Sequence, residues 1–353
     1  MKKLKEVIEN IPGLDADLMA KTQERLDNLT KPRGSLGKLE ELAKLVVGIT
    51  AKANPELKNK VIFTFAADHG VAEEGVSAFP QEVTAQMVYN FLNGGAGINV
   101  LARHVGARVV VADLGVAEDL KPHPRLIIKK INRGTKNMAK GPAMTKAEAV
   151  KSIEAGIDIF EQEFSKGVDI AGTGEMGIAN TTSASAITAC FTKEKIEDIT
   201  GYGTGIGNIA LKNKIRIIKE AMSVNKPDPN DAIDVLAKVG GFEIGALAGV
   251  ILAAARRRVP VAVDGFISTA AALIASKISP KTKDYMISAH ASVEAGQKAI
   301  LKHMGLLPLL NLDLRLGEGT GAALGINIIE AALKILNEMA TFKNAGVSEK
   351  GKS

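Results

Sequence analysis

Tryptophan is absent from the 353 residues, and cysteine occurs once, as Cys190. A single cysteine excludes an intrachain disulfide, and the five histidines form no HxH or HxxxH pair, so we predict no zinc or other metal site. Cys190 follows the mostly apolar residues from Ala184 onward, which favours a small core side chain over a nucleophile. We therefore expect no metal and no cofactor.

Aromatic residues make up only 4% of the chain, which disfavours a surface that stacks RNA bases. The net charge is +6, but the basic residues are scattered, and their tightest cluster, residues 256–258, is interpreted as the solvated end of a helix. Long apolar segments are also missing. The longest, 244–255, is too short to cross a bilayer, and the N-terminus lacks the apolar region of a signal peptide. We predict a cytoplasmic protein with no nucleic-acid or membrane partner.

Short β-branched segments that end in polar residues and glycine alternate with helical patterns. The predicted strands are 61–66, 108–111, 168–171, 259–263 and 285–288. This alternation predicts an α/β fold with a parallel, doubly wound (Rossmann-like) sheet flanked by helices, in which ligands bind beyond the carboxyl ends of the strands.

The two ends of the chain are predicted to be helical. Segments 14–29 and 36–51 show helical spacing, and one long helix is predicted from Thr320 to Thr341. We expect 1–55 plus 320–353 to form a small helical lobe and 56–319 to form a large α/β catalytic domain.

Two glycine-rich segments are candidate anion sites. GTGEMGIANTT (172–182) follows a predicted strand, and GYGTGIG (201–207) precedes a helix that carries Lys212 and Lys214. Glycines let a backbone approach a phosphate, although tight turns alone would also explain them. Neither segment is a Walker A loop, which excludes an ATPase, and neither supplies a GxGxxG opening a first βαβ unit, which disfavours a dehydrogenase.

Two glutamates lie among glycines, Glu175 in the first segment and Glu318 in RLGEGTGAA. Glycines around a carboxylate suggest that a ligand docks against it, and the alternative is a hydrated loop carboxylate. Asp68 and Asp264 follow predicted strands, and for both the favoured role is to stabilise a turn.

The histidines divide by their predicted positions. His69 and His290 lie at predicted strand ends, where they are candidates to line a pocket. The other three are predicted to be structural or surface residues: His104, His123 and His303.

Several ordered blocks carry a family resemblance: 30–43, 67–87, 94–103, 172–185, 201–207 and 312–324. Together they resemble the nicotinate-nucleotide:dimethylbenzimidazole phosphoribosyltransferases, over nearly the whole chain. The resemblance implies transfer of 5-phosphoribose from nicotinate mononucleotide to a benzimidazole-type base in cobalamin assembly, by a homodimer. It places the general base on Glu318, a second pocket carboxylate on Glu175 and the loop lysine on Lys214, with Lys212 as a competitor. The implied substrate-binding residues are Pro80, Gln86, Gly172, Gly174, Gly177, Asn180, Thr181, Gly203, Gly205, Lys214, Leu316 and Gly317.

The implied reaction agrees with the residues. A pyridinium leaving group departs neutral and needs no general acid, whereas the attacking benzimidazole must lose one proton, so a single well-placed base such as Glu318 suffices. The alternative from another class is a non-catalytic nucleotide-binding or sensor protein, which would keep the glycine-rich segments but have no use for Glu318.

Overall fold

A computed structural model describes residues 2–348, and Met1 and residues 349–353 lie outside this description. Its centre is a parallel six-stranded sheet of order β3-β2-β1-β4-β5-β6, the order of doubly wound folds. The strands are β1 (Lys60–Ala67), β2 (Ala107–Gly115), β3 (Leu126–Ile128), β4 (Ile170–Met176), β5 (Val261–Val263) and β6 (Met286–Ser288), and a separate parallel pair joins β7 (His290–Ala291) to β8 (Leu310–Asn311). The predicted fold class is confirmed.

Helices cover both faces of the sheet. They are α1 (Lys2–Glu9), α2 (Ala16–Asp27), α3 (Lys38–Thr50), α4 (Val83–Asn93), α5 (Gly97–Val105), α6 (Lys146–Phe164), α7 (Asn180–Thr192), α8 (Ile196–Ile199), α9 (Asn208–Asn225), α10 (Ala232–Val239), α11 (Phe242–Arg256), α12 (Phe266–Ile278), α13 (Ala295–Met304), α14 (Thr320–Glu338) and α15 (Phe342–Ala345). None of the helices among residues 2–348 is long and apolar enough to span a membrane.

Strand β1 shows why its sequence forms a central strand. Val61, Phe63 and Phe65 pack into the core under α6 and α11, and the alternate residues Ile62 and Ala66 pack into the core under α5 and α14. Side chains of a strand point alternately to the two faces, so a strand that is buried on both faces is apolar throughout. All eight residues of β1 are buried.

The chain termini pack on the sheet as well as on each other. Helices α2 and α3 contact one another, α3 also contacts α14, and Leu29 forms a β-bridge with Thr341. However, α14 also covers β4 and β5, and α1 lies on the opposite face against α6 and α11. The division into a small lobe and a large domain stays a prediction.

Two boundaries differ from the sequence prediction. The segment taken as a glycine-rich loop begins inside β4, because β4 continues through Gly172 and Gly174 to Met176. Parallel pairing with β1 holds these glycines extended, from Gly172 opposite Ile62 to Met176 opposite Ala66. The last long helix ends at Glu338 rather than at residue 341.

Candidate active site

A cleft opens at the carboxyl ends of β1, β4 and β5, around the point where the strand order reverses. Ligands of doubly wound sheets bind at this position. The cleft encloses about 670 Å³, including its open mouth. It is lined by Glu175, Met176, Gly177, Ile178, Asn180, Thr181, Gly203, Thr204, Gly265, Phe266, Ile267, His290, Ser292, Glu294, Arg315, Leu316 and Gly317.

Glu318 lies beside this cleft in the loop that leads into α14. It has a left-handed backbone (φ 63°) between Gly317 (φ 81°) and Gly319 (φ 100°). A left-handed glutamate costs roughly 1–2 kcal/mol and persists only where surrounding contacts impose it. Those contacts are present: the Thr64 hydroxyl donates to the Glu318 carbonyl (2.9 Å), and the Gly319 N–H donates to Asp264 Oδ2 (3.1 Å).

Gly174 makes room for this loop. A Cβ at Gly174 would lie 2.2 Å from the Glu318 carbonyl oxygen, closer than any side-chain carbon can approach. Gly172, two residues earlier on the same face, faces Ala322 and Ile326 of α14. The prediction that these two glycines approach a phosphate is therefore wrong, because both lie in β4 and face α14 and the loop before it.

The carboxylate of Glu318 is buried, and among the described residues only one of its two oxygens accepts a hydrogen bond. Its Oε2 accepts the Ile98 N–H (2.9 Å) at the start of α5, whereas Oε1 accepts no hydrogen bond from the residues that the structure describes. Burial raises the pKa of Glu318, the Ile98 hydrogen bond opposes the rise, and the Asp264 carboxylate adds to it. A raised pKa brings a carboxylate closer to the value suited to a general base near neutral pH.

Glu175, the penultimate residue of β4, has a different environment. The Asn180 side-chain amide donates to its Oε2, and Gly317 leaves room for its Oε1, which a Cβ there would approach to 2.5 Å. Burial raises the pKa of Glu175 to about 8, with Glu243 and Asp264 contributing. A raised pKa of this size favours the protonated form of the Glu175 carboxyl near neutral pH.

Lys214 enters the site from α9 and is fully buried. Its ammonium donates to Thr181 Oγ1 (2.7 Å) and to the Gly201 carbonyl (3.4 Å). Burial lowers the pKa of Lys214 to about 8, and the Glu294 carboxylate opposes this effect. The competitor Lys212 is exposed on α9, so the geometry favours Lys214 as the site lysine.

The N-terminus of α12 was missed by the sequence analysis. Gly265, Phe266 and Ile267 line the cleft at this helix start. First-turn N–H groups have no partners within their helix and attract anions. The available signal was the Asp-Gly pair directly after β5, which resembles the polar ends of β1 and β2. His290, Ser292, Glu294 and Arg315 also line the cleft, and of these four only His290 was predicted.

A family model described as phosphoribosyltransferase matches residues 11–347. The chain belongs to this family. It is 59% identical to the nicotinate-nucleotide–dimethylbenzimidazole phosphoribosyltransferase of Geobacter metallireducens over 352 residues (100% of this chain, 99% of the relative). It is 57% identical to the Geobacter sulfurreducens protein of the same name over 349 residues (99% of each chain). The crystal structure of CobT from Thermus thermophilus superposes with a TM-score of 0.91 at 43% identity, covering 95% of this chain and 100% of that one.

This phosphoribosyltransferase brings half of its predicted site residues into the cleft lining: Glu175, Gly177, Asn180, Thr181, Gly203, Leu316 and Gly317. Glu318 and Lys214 lie directly behind the lining. Pro80 and Gln86 are exposed outside it, on a segment whose Ala78 N–H donates to Thr204 Oγ1 (3.1 Å). Gly205 is also outside, and its left-handed backbone (φ 96°), rather than a close neighbour, requires glycine.

Of the two histidines predicted to line a pocket, one lies in the cleft and one does not. His290 lines the cleft, with its Nε2 3.5 Å from Asp264 Oδ1. Burial lowers the pKa of His290, but Asp264 and the Ala291 backbone together raise it more, so the net pKa is raised. The prediction for His69 is wrong, because its ring is fully buried between Ser183 Oγ (3.0 Å) and Glu243 Oε1 (2.6 Å). Within residues 2–348, no group of three or more His, Cys, Asp or Glu is arranged to hold a metal ion.

Asp68 and Asp264 each accept hydrogen bonds from the backbone of a distant segment, so the prediction that they stabilise their own turns is wrong. Asp68 Oδ2 accepts the Ala117 N–H (2.8 Å), 49 residues later in the chain. Asp264 accepts the Gly319 N–H (3.1 Å) and the Ala322 N–H (3.0 Å), and so fixes the start of α14 beside Glu318.

Proposed function

We propose that this chain transfers 5-phosphoribose from nicotinate mononucleotide to 5,6-dimethylbenzimidazole or a related base, giving nicotinate and α-ribazole 5′-phosphate. The proposed role is a step in assembling the nucleotide loop of cobalamin, in the cytoplasm. The observation that carries this proposal is Glu318, a buried left-handed glutamate held beside the cleft with one carboxylate oxygen free of donors from the described residues. The names of the relatives, at 57–59% identity over the whole chain, support it.

In the proposed mechanism, one benzimidazole nitrogen attacks C1′ of the ribose from the face opposite the nicotinate. The C1′–N bond to the pyridinium breaks, its electron pair returns to the nicotinate nitrogen, and the leaving group departs without a proton. Glu318 accepts the proton that the second benzimidazole nitrogen loses. Attack from the opposite face converts the β-nucleotide into the α-ribotide. A carboxylate close to C1′ also stabilises positive charge that develops on the sugar.

Glu175 is proposed as the second site carboxyl. Because its pKa is raised to about 8, it presents a hydrogen-bond donor at neutral pH. A neutral Glu175 also places no second negative charge near Glu318. The hydrogen bond from the Asn180 side chain holds the Glu175 carboxyl in position. We propose that Glu175 donates to a substrate oxygen rather than competing with Glu318 as the base.

The nucleotide phosphate is proposed to lie between the start of α12 and the 201–205 loop. Phe266 and Ile267 supply first-turn N–H groups, and Lys214 supplies a cation at the same end of the cleft. The acceptor base is proposed to lie towards Leu316 and the segment that carries Pro80 and Gln86. Leu316 and Phe79, 60% and 53% exposed, offer apolar faces to a planar ring there.

A homodimer is proposed as the working form. Several large apolar side chains are exposed, among them Ile209 at 88% and Leu307 at 75%. Single exposed apolar side chains also occur on monomers, and the support for a dimer is the family resemblance. Light scattering coupled to size-exclusion chromatography is expected to give twice the mass of one chain, and the mass of a single chain would refute the proposal.

The function is tested by incubating the protein with nicotinate mononucleotide and dimethylbenzimidazole and measuring released nicotinate. We expect release that depends on both substrates and a product with the mass of the ribotide. A sensor or non-catalytic binding protein would bind the nucleotide and release nothing. A panel of competing benzimidazoles, purines and phenols in the same assay identifies the preferred acceptor.

A further inference from the structure

Glu294 is a buried carboxylate at the end of the cleft where the proposed function places an anion. It lines the cleft, and it is 7% exposed. Its Oε1 accepts the Gly203 N–H (2.9 Å), and its Oε2 is buried without a hydrogen-bond partner among the residues that the structure describes. A buried carboxylate beside a phosphate site repels the phosphate and so weakens its binding. Its presence there calls for a role that offsets this repulsion.

Gly201 and Gly203 of the 201–205 loop fit around two buried charges of opposite sign. A Cβ at Gly201 would lie 2.1 Å from Glu294 Oε2. A Cβ at Gly203, where φ is +53°, would lie 2.9 Å from Thr181 Oγ1 and 3.1 Å from Lys214 Nζ. These glycines therefore accommodate Glu294 and Lys214, and the Gly203 N–H, already bonded to Glu294, is not available to a phosphate.

Both charges also hold the loop directly. Lys214 donates to the Gly201 carbonyl (3.4 Å) while Glu294 accepts the Gly203 N–H (2.9 Å), so the two side chains secure adjacent peptide groups. No ion pair within 4 Å joins Glu294 to Lys214 among the described residues. An ammonium has three donors. Lys214 therefore keeps a donor beyond those given to Thr181 and Gly201.

We propose that Glu294 is a positioning residue for the nucleotide: its carboxylate fixes the 201–205 loop and keeps the buried Lys214 ammonium charged to receive the phosphate. This inference rests on the proposed function. Replacing Glu294 should weaken nucleotide binding although it removes a negative charge from an anion site. Simple charge repulsion predicts the opposite result.

The groups that face Lys214 explain why Glu294 controls its charge. From α7 the facing group is the neutral Thr181, and from the loop it is the Gly201 carbonyl. Two carboxylates on the neighbouring helices pair with other lysines: Glu197 of α8 with Lys219, and Asp234 of α10 with Lys146 and Lys238. Asp198 of α8 is exposed to solvent. Burial lowers the pKa of Lys214 to about 8, and Glu294 is the one carboxylate among described residues that raises it.

The test measures the dissociation constant of nicotinate mononucleotide by calorimetry between pH 6 and 10, without acceptor. For the wild type, binding is expected to weaken as pH rises through the Lys214 pKa. In Glu294→Gln we expect about tenfold weaker binding at pH 8 and an alkaline limb that moves to lower pH by roughly one unit, the scale of one nearby opposite charge. Turnover at saturating nucleotide and the acceptor KM should change less than threefold.

Two variants separate the charge of Glu294 from its position. Glu294→Asp keeps the charge but shortens the reach to Gly203, so it should weaken binding while leaving the alkaline limb in place. Glu197→Gln is the matched control, because it removes a carboxylate from an exposed lysine of the same helix, Lys219, and should change neither quantity. Thermal unfolding confirms that each variant is folded.

The outcomes are distinct. A Glu294→Gln profile that superimposes on the wild type, or an equal effect on both substrates, overturns the inference. A second measurement adds Glu294→Gln to the Lys214→Arg variant. Arginine stays charged throughout this pH range, so Glu294→Gln should no longer move the alkaline limb. An alkaline shift that remains in the Lys214→Arg background also overturns the inference. A wild type that binds the nucleotide but never releases nicotinate refutes the proposed function and leaves this inference intact.

Discussion

Replacing Glu318 by glutamine removes the proposed base and preserves the shape of the loop. The side-chain carbonyl of glutamine is still able to accept the Ile98 N–H, and Thr64 and Asp264 continue to hold the backbone. The loss of one charge-assisted hydrogen bond, about 1 kcal/mol, is offset by relief from burial and from the Asp264 carboxylate, which both disfavour the charged form of Glu318. We therefore expect the free energy of unfolding to change by about 1 kcal/mol or less.

Turnover is expected to change far more. Removal of a general base costs about 10²- to 10⁴-fold, which corresponds to roughly 3–5 kcal/mol of transition-state stabilisation. The assay is nicotinate release at saturating nucleotide and acceptor, and nucleotide binding is measured separately by calorimetry. Glu338→Gln is the matched control, because it lies at the exposed far end of α14, the helix that follows the Glu318 loop, and should behave as wild type.

The result that refutes this reasoning is turnover of Glu318→Gln within about threefold of the wild type. Loss of nucleotide binding with normal turnover at saturation would instead make Glu318 a binding group. Unfolding of the variant would show that the carboxylate charge supports the loop more strongly than Thr64 and Asp264. In that case Glu318→Asp, which keeps the charge but moves it back from the cleft, decides between the two roles through its turnover.

The same site supports three further predictions. Gly174→Ala is expected to lower turnover at least tenfold with a smaller effect on the nucleotide KM, because its Cβ displaces the Glu318 carbonyl; a rise in nucleotide KM alone would restore the phosphate-loop interpretation. Saturated turnover should fall on the acid side as Glu318 is protonated, at a pH above the ordinary glutamate range because the pKa of Glu318 is raised. The kcat/KM for the nucleotide should also fall above about pH 8, as Lys214 loses its proton. Profiles that are flat from pH 5 to 9 would contradict both assignments. EDTA is expected to leave the rate unchanged, and complete loss of activity in EDTA would require a metal-dependent mechanism.

The expected alkaline limb adds to the chemistry inferred from the sequence without changing it. A neutral leaving group needs no general acid, and the limb is expected in nucleotide binding instead. Burial of Lys214 and Glu175, both with a pKa of about 8, introduces two groups that titrate above neutral pH. The local sequence does not show that these two side chains are buried. Lys214 lies in a helix whose charged and apolar residues form no clear pattern, and Glu175 lies in a strand.

Local sequence did predict the parts that depend on periodicity and chemistry. The apolar residues 61–66 predicted the central strand β1, and the polar residues after each strand marked the edge where the cleft opens. The glycines around Glu318 were interpreted as a sign that a ligand docks against its carboxylate, which stays a prediction. The structure shows that Gly317 and Gly319 are both left-handed. Sequence blocks also indicated the family to which the chain belongs.

The tertiary structure was needed to show which distant residues each local feature contacts. Gly174 and Gly172 were interpreted as phosphate contacts, but parallel pairing with β1 keeps them in a strand, and their missing side chains make room for α14 and the Glu318 loop. His69 was assigned to the cleft from its position after a strand, yet Glu243, 174 residues later, and Ser183 hold it in the core.

Residues close together in the chain were enough to specify the strand-and-helix rhythm and the edge of the sheet that carries the site, and the family resemblance indicated Glu318 as the proposed base. Contacts between distant segments were needed to show that Gly201 and Gly203 fit around Glu294 and Lys214, and that α12 presents its first turn to the same cleft. Burial and opposite charge act between residues that folding brings together, so their effect on each pKa and on each loop cannot be derived from neighbours in the chain.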